Sequence, residues 1–262
     1  MNNIWVIAVK EWRQFFVSVL AYVCGAALLL FGGYFFGVFM RAFNEFCLQA
    51  SGFVGQPEFE YMTEHLNIND VVVRNFFGSV TVIFLIVVPA VTMRLFAEEK
   101  RAGTDELLFT SPISDWHLVG GKYLGGLLAV LTPLALTLSY TGFLAMHAAP
   151  DWGPVWTGYA GLAFLVAAYV AVGLAASAAT RSQLVAYILA FSVLLFLHII
   201  GWAAELSSYE TGQVLRALSS MEHFENFSKG VVEIRDIVYF LSVAAFGLVL
   251  THQLVAARRW KG

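Results

Sequence analysis

Side chains able to do polar chemistry are few in this 262-residue chain, and they gather in two places. The stretch RLFAEEKRAGTDELLFTSPISDWHLVGGKY, Arg94 to Tyr123, carries Arg94, Glu98, Glu99, Lys100, Arg101, Asp105, Glu106, Asp115 and Lys122. Acids and bases alternate there beside an apolar edge of Leu107, Leu108 and Phe109. That mixture suits docking onto a charged protein surface, not bond making. The second place is LSSMEHFENFSKGVVEIRD, with His223, Glu225 and Lys229. His223 and Glu225 are too few donors for a metal site. GGKY is not a phosphate-binding loop, because Tyr follows Lys122 and the upstream Gly is missing. Neither paired carboxylates nor a Ser/His/Asp set gathers near a membrane boundary. His198 is the one ionisable side chain well inside an apolar run, and a hydrogen-bonded structural histidine is its expected role.

The elements that must position these residues are membrane helices. The chain is 59% hydrophobic and only 13% charged, with a mean hydropathy of +0.74, against roughly 25% charged in a soluble domain. A net charge of −3 gives no reason for a nucleic-acid partner. Six runs free of Asp, Glu, Lys and Arg reach spanning length, over residues 17–40, 76–93, 123–147, 155–179, 184–204 and 237–257. Continuous apolar runs, without two-residue alternation, select helices over a barrel. Residues 1–262 read as one transmembrane domain, with no cleaved signal peptide.

Six spans put both ends on one side, and the basic residues choose which. With the N-terminus inside, the cytoplasmic segments hold Lys10, Arg13, Arg94, Lys100, Arg101, Lys122, Arg181, Arg258, Arg259 and Lys261. Only Arg41, Arg74, Arg216, Lys229 and Arg235 face outward. Both termini are therefore expected in the cytoplasm. Residues 1–16 place Ile4, Trp5, Ala8 and Trp12 on one helical face and most of the polar groups on the other. This predicts an amphipathic helix lying in the membrane interface.

Residues 94–122 form the long inner connection between spans two and three. Gly103-Thr104 interrupts its helical pattern, Pro112 stops the second piece, and Ser114 can N-cap a helix running into span three. Residues 41–75 and 205–236 are the two long outer segments. Pro89 and Pro133 can kink spans two and three. Gly33/Gly37 and Gly121/Gly125 permit close helix approach. Cys24 and Cys47 would lie roughly 34 Å apart on one helix, too far for a disulfide.

On these residues a family resemblance rests. FAEEKRAGTDELLFTSPIS followed by GKYLG, together with GLAASAATRSQLVAY and HFENFSKGVVEIRDIVYF, resembles ABC-2-type transporter permeases, most of all the gliding-motility GldF-like branch. The resemblance implies a coupling helix that inserts into a cytosolic ATPase, with Glu98, Glu99, Gly103, Thr104, Glu106, Leu107, Pro112 and Ser114 shaping the contact. It implies that residues 205–236 form an outer re-entrant hairpin gating the exit of a translocation path, with His223, Phe224 and Phe227 near the exit and Lys229 and Gly230 turning the chain. Two ATPase copies carrying ATP and Mg²⁺ are implied, with no cofactor on this chain. A second permease copy, or a related subunit with a large extracytoplasmic domain, and surrounding lipids complete the expected partners. Export or transmembrane mechanical signalling is the implied function. An ion-coupled secondary carrier and a non-transporting anchor or scaffold remain open on the residues alone. Charge-free spans count against the carrier.

Overall fold

The computed structural model describes residues 3–52, 67–103, 114–148 and 150–259, and all regular structure among them is helical. Six helical stretches are long and apolar enough to cross a membrane: Val19–Ser51, Asn69–Ala102, Asp115–His147, Trp152–Ala179, Gln183–Ala204 and Ile234–Ala257. The second and fourth are 67% buried over their most apolar stretch, against 28% for the first and sixth. The second and fourth therefore form the centre, and the others turn apolar faces outward.

Helix α1 (Asn3–Val17) ends where Ser18 takes an extended conformation and its hydroxyl accepts from Leu20 N at 3.2 Å. That cap starts α2 (Val19–Ser51). Cys24 and Cys47 both lie on this one helix as free thiols. A π-helical turn, Asn69–Arg74, leads into α3 (Asn75–Thr92) and then α4 (Arg94–Ala102). Beyond it come α5 (Asp115–Leu136) and α6 (Leu138–His147). Pro89 and Pro133 lie inside α3 and α5, and the helical runs are interrupted further on, at Met93 and at Thr137. A proline's missing N–H and ring act on the turn before it, and after Pro89 the ladder is kept, with Met93 N donating to Pro89 O at 2.9 Å.

Helix α7 (Trp152–Ala179) starts at Asp151, whose Oδ1 accepts from Gly153 N at 3.0 Å. It is the hub of the bundle, packed by α3, α4, α5, α8 (Gln183–Glu205) and α11 (Ile234–Arg259). Leu162, Leu165, Val166, Val170 and Leu174 along it are fully buried. Between α8 and α11 lie two short helices, α9 (Tyr209–Leu218) and α10 (Ser220–Ser228).

The expected amphipathic face of α1 is spent largely on protein. Ile4, Ile7, Ala8 and Glu11 lie against Gly121 and Gly125 of α5. A Cβ at Gly121 would sit 2.6 Å from Ile7 Cβ, and one at Gly125 2.5 Å from Glu11 Cβ. Trp12 follows on the same side, its Nε1 donating to Thr132 Oγ1 at 3.1 Å, whereas Trp5 is 53% exposed. The other glycine pair behaves differently. Gly33 meets only the ring and hydroxyl of Tyr140, and Gly37 has nothing close.

Candidate functional site

The charged connection begins with α4, and α4 is anchored along its whole length. Its first N–H groups have no partners within their own helix. Ser177 of α7, fully buried, supplies them: its hydroxyl oxygen accepts from Phe96 N at 3.0 Å and Ala97 N at 3.1 Å, and donates to Met93 O at 2.9 Å. Lys100, 6% exposed, donates to Ala178 O at the end of α7. The helix then ends at Gly103 with φ +70, a left-handed cap that glycine adopts without Cβ strain. The chain is described again at Ser114, extended and capping α5 by accepting from His117 N at 3.4 Å. Thr104, Glu106, Leu107 and Pro112 lie outside the described residues.

Glu98 and Glu99, expected to act together, point to different partners. Glu98 pairs with Arg94 one turn back at 2.7 Å and is 39% exposed. Arg94 also donates to the Ser18 hydroxyl, tying α4 to the start of α2. Glu99 turns inward to Lys122, which is 1% exposed. Lys122 Nζ lies 2.8 Å from Glu99, 3.0 Å from Glu11 and 2.6 Å from Leu95 O. Those contacts use all three ammonium donors. The Phe96 ring centroid lies 5.2 Å away, and Lys10 stands 3.7 Å from Glu11 on the outer side. One lysine thus joins α1, α4 and α5. A cavity of about 50 Å³ beside it is lined by Glu11, Gln14, Arg94, Glu98 and Glu99, room enough for water.

At the opposite end of the bundle, α9 and α10 fold back onto the spans. Phe224 and Phe227 are each 1% exposed. A Cβ at Gly161 of α7 would lie 2.5 Å from Phe227 Cβ and 3.2 Å from Phe224 Cε2, so that glycine opens the seat for both rings. Thr157 donates to Phe227 O at 2.8 Å. Ser220, at the start of α10, shares a hydrogen bond of 2.8 Å with the buried Tyr169 hydroxyl, and His198 Nδ1 lies 3.5 Å from that hydroxyl. His223 is 2% exposed and bonded to Asp236 at 2.6 Å. Gly230 turns the chain with φ +88, close against Pro154. Glu225 bridges Arg74 and Lys229, the latter at 2.8 Å. The Lys229 hydrogen bond, with Arg74 adding to it, holds the Glu225 carboxyl below the usual carboxylate range against the opposing effect of burial. These groups border a cavity of about 500 Å³ lined by Phe39, Asp70, Arg74, Asn75, Ser79 and Glu225.

The profile of the ABC-2 family transporter proteins matches residues 5–257, nearly the whole chain. The chain belongs to the ABC-2 transporter family. No curated protein matches it as a relative. Membership makes it a multi-pass membrane component of an ABC transporter, a class of subunit that is generally non-catalytic and works with an ABC ATPase.

For an ABC-2 permease, the sequence-predicted residues divide in an informative way. Gly103 and Ser114 hold the backbone geometry expected of them, and Lys229-Gly230 turns the chain as expected. His223, Phe224 and Phe227 are brought together and buried, and Phe224 also lines the 500 Å³ cavity. Lys100 and Lys122, which read as cytoplasmic charges, are buried, as are Ser177 and Asp236, to which the sequence assigned no role. The one local signal for Lys122 is its setting in GGKYLGG, where small neighbours let another helix close over a charge.

Proposed function

We propose that this ABC-2 permease couples ATP hydrolysis on two cytosolic ATPase subunits to export or to mechanical signalling across a bacterial inner membrane. Its closest functional setting is a gliding-type complex of the GldF-like branch. ATP and Mg²⁺ bind the ATPases, and this chain binds neither and hydrolyses nothing. A second copy, or a related subunit with a large extracytoplasmic domain, completes the membrane unit. Both termini face the cytoplasm, so α4 lies inside and the α9–α10 hairpin caps the outer end as a re-entrant element above the 500 Å³ cavity.

The observation that carries this reading is the anchoring of α4. Ser177, Lys100 and Lys122 make it a rigid arm, so a push received beyond Gly103 reaches α1, α5 and α7 without being absorbed in a loop. Glu98, Thr104, Glu106, Leu107, Pro112 and Ser114 form or shape the ATPase contact, with Gly103 setting its direction. Glu99 supports that contact from behind through Lys122.

The test is ATPase recovered with the purified permease, with permease yield as the folding control. Truncating one member of a desolvated interface pair costs roughly 2–5 kcal/mol, whereas an exposed pair contributes about 0–1 kcal/mol. Glu98→Lys and Leu107→Asp should each release the ATPase at unchanged permease yield. Normal recovery with both removes the coupling assignment.

A further inference from the structure

Both nitrogens of the His223 ring face hydrogen-bond acceptors. Nδ1 lies 2.6 Å from Asp236 Oδ1, and Nε2 lies 3.1 Å from Ala217 O. A neutral imidazole carries a single N–H. Beside an ionised Asp236, a neutral ring would therefore set a lone pair against an oxygen at one of the two contacts. Both contacts are satisfied only when the pair holds one proton more. The proton completes an imidazolium facing a carboxylate, or an Nε2–H ring accepting from a protonated Asp236. Either way the pair has no net charge, as its burial demands: His223 is 2% and Asp236 0% exposed.

The surroundings leave that proton without a substitute. Asp236 Oδ2 accepts from Asn226 Nδ2 at 2.9 Å, a neutral donor. The Tyr239 ring stacks on the imidazole at 4.1 Å, and its hydroxyl is committed to Leu218 O at 2.7 Å. Arg235 Nε stands 3.9 Å from Asp236 on a side chain 69% exposed, where water screens it. From α7 and α8, Tyr169 and His198 reach Ser220 and each other, not the pair. Glu222 is turned toward Gly201 of α8, Glu225 is held by Arg74 and Lys229, and Glu210, Arg216 and Glu233 are exposed.

We propose that His223 and Asp236 form a proton-binding site that latches the α9–α10 hairpin. With the proton bound, Ala217 of α9, His223 and Asn226 of α10 and Asp236 in the first turn of α11 are held in one hydrogen-bonded set. Release of that proton to solvent leaves one net negative charge on the buried pair and sets acceptor against acceptor at one contact. The hairpin then opens. The device therefore closes as the surrounding pH falls and opens as it rises. It stands on the hairpin's own geometry and holds whichever partners the permease has.

The reporter is a single cysteine at Ser228, 5% exposed, in a full-length chain in lipid nanodiscs with Cys24 and Cys47 replaced by Ala. Its maleimide labelling rate is followed against pH and corrected for thiolate fraction with an unfolded peptide. Opening linked to loss of one proton raises the corrected rate by up to about tenfold per pH unit. Asp236→Asn gives Nδ1 an N–H donor with no proton to lose, so its labelling should stay slow and flat with pH. A flat wild-type rate, or the wild-type slope retained in Asp236→Asn, overturns the proposal. Should that variant not fold, solid-state NMR of the ¹⁵N-histidine, ¹³C-aspartate wild type decides. The His223 signal is assigned by its loss in His223→Gln. Two protons over the pair are expected in the closed state, and a single N–H beside an ionised Asp236 overturns the latch.

Discussion

The two ends of this permease both bury charge, and the chemistry and sequence distance of the two clusters differ. At the α1 end, Lys122 gives its three N–H bonds to Glu11, Glu99 and the Leu95 carbonyl, and Glu11 lies 111 positions away. At the hairpin end, His223 and Asp236 are only 13 positions apart, and Ala217 and Asn226 lie between and beside them. The first cluster cannot form until α1, α4 and α5 are all assembled. The second belongs to one short stretch that can loosen while the spans stay packed. Long-range ionic cross-links suit a part that must move as a block, and a local clasp suits a part that must change shape by itself.

That contrast can be broken most forcefully at Lys122. Lys122→Ala leaves the largely buried Glu11 and Glu99 without their buried cation and with the exposed Lys10 3.7 and 4.0 Å away, a loss of up to roughly 3–5 kcal/mol. Thermal unfolding in detergent should record it as the largest single-residue destabilisation of the α1–α4–α5 cluster. The pH dependence of labelling at the hairpin should survive in whatever fraction folds, and a hairpin that loses its pH response in this variant would mean that the two ends are not independent. Ser177→Ala should cost less, about 1–3 kcal/mol, because it removes the acceptor of two buried N–H groups. Hydrogen exchange should show this as faster exchange at the Phe96 and Ala97 amides, with the α10 amides unchanged.

Gly103→Ala is expected to cost about 1–2 kcal/mol through the left-handed backbone at φ +70, seen as a lowered unfolding temperature with α7 protection intact. The smallest effect belongs to Glu225. Its carboxyl is held below the ordinary range, so the stability from its bridge to Lys229 and Arg74 is present above the ordinary carboxylate value and lost as pH falls through the lowered one. With the side chain 34% exposed, the loss should stay within about 1 kcal/mol. An acid titration of wild type against Glu225→Gln measures it. Acid loosens this bridge and tightens the latch, so the two hairpin contacts separate on the pH axis.

The sequence makes the scaffold readable because lipid imposes simple rules. Six long apolar runs and the positions of Gly103, Ser114 and Gly230 follow from length, missing donors and backbone freedom, all local properties. The site is less readable because it depends on which face each helix turns to its neighbour. Glu98 and Glu99 are adjacent in the chain, yet one pairs along the surface and the other points into the bundle. Phe224 and Phe227 read as bulk near an exit, and nothing local in the sequence points to their seat at Gly161, more than sixty positions earlier. Asp236 sits next to the exposed Arg235 at the start of the last span and reads as a boundary residue. Only the imidazole across from it reveals otherwise.

The close fit of α1 over Gly121 and Gly125 also sets an order of events during synthesis. The helix emerges from the ribosome before α5, and its seat there comes 111 residues later, as judged from Glu11 to Lys122. At about 5–20 residues per second, that is a wait of roughly 6–22 s. An amphipathic helix can spend that interval adsorbed at the lipid surface without crossing it, its apolar face shielded by headgroups and acyl chains. When α5 inserts, α1 exchanges lipid for the glycine surface, and Glu11 meets its lysine only then.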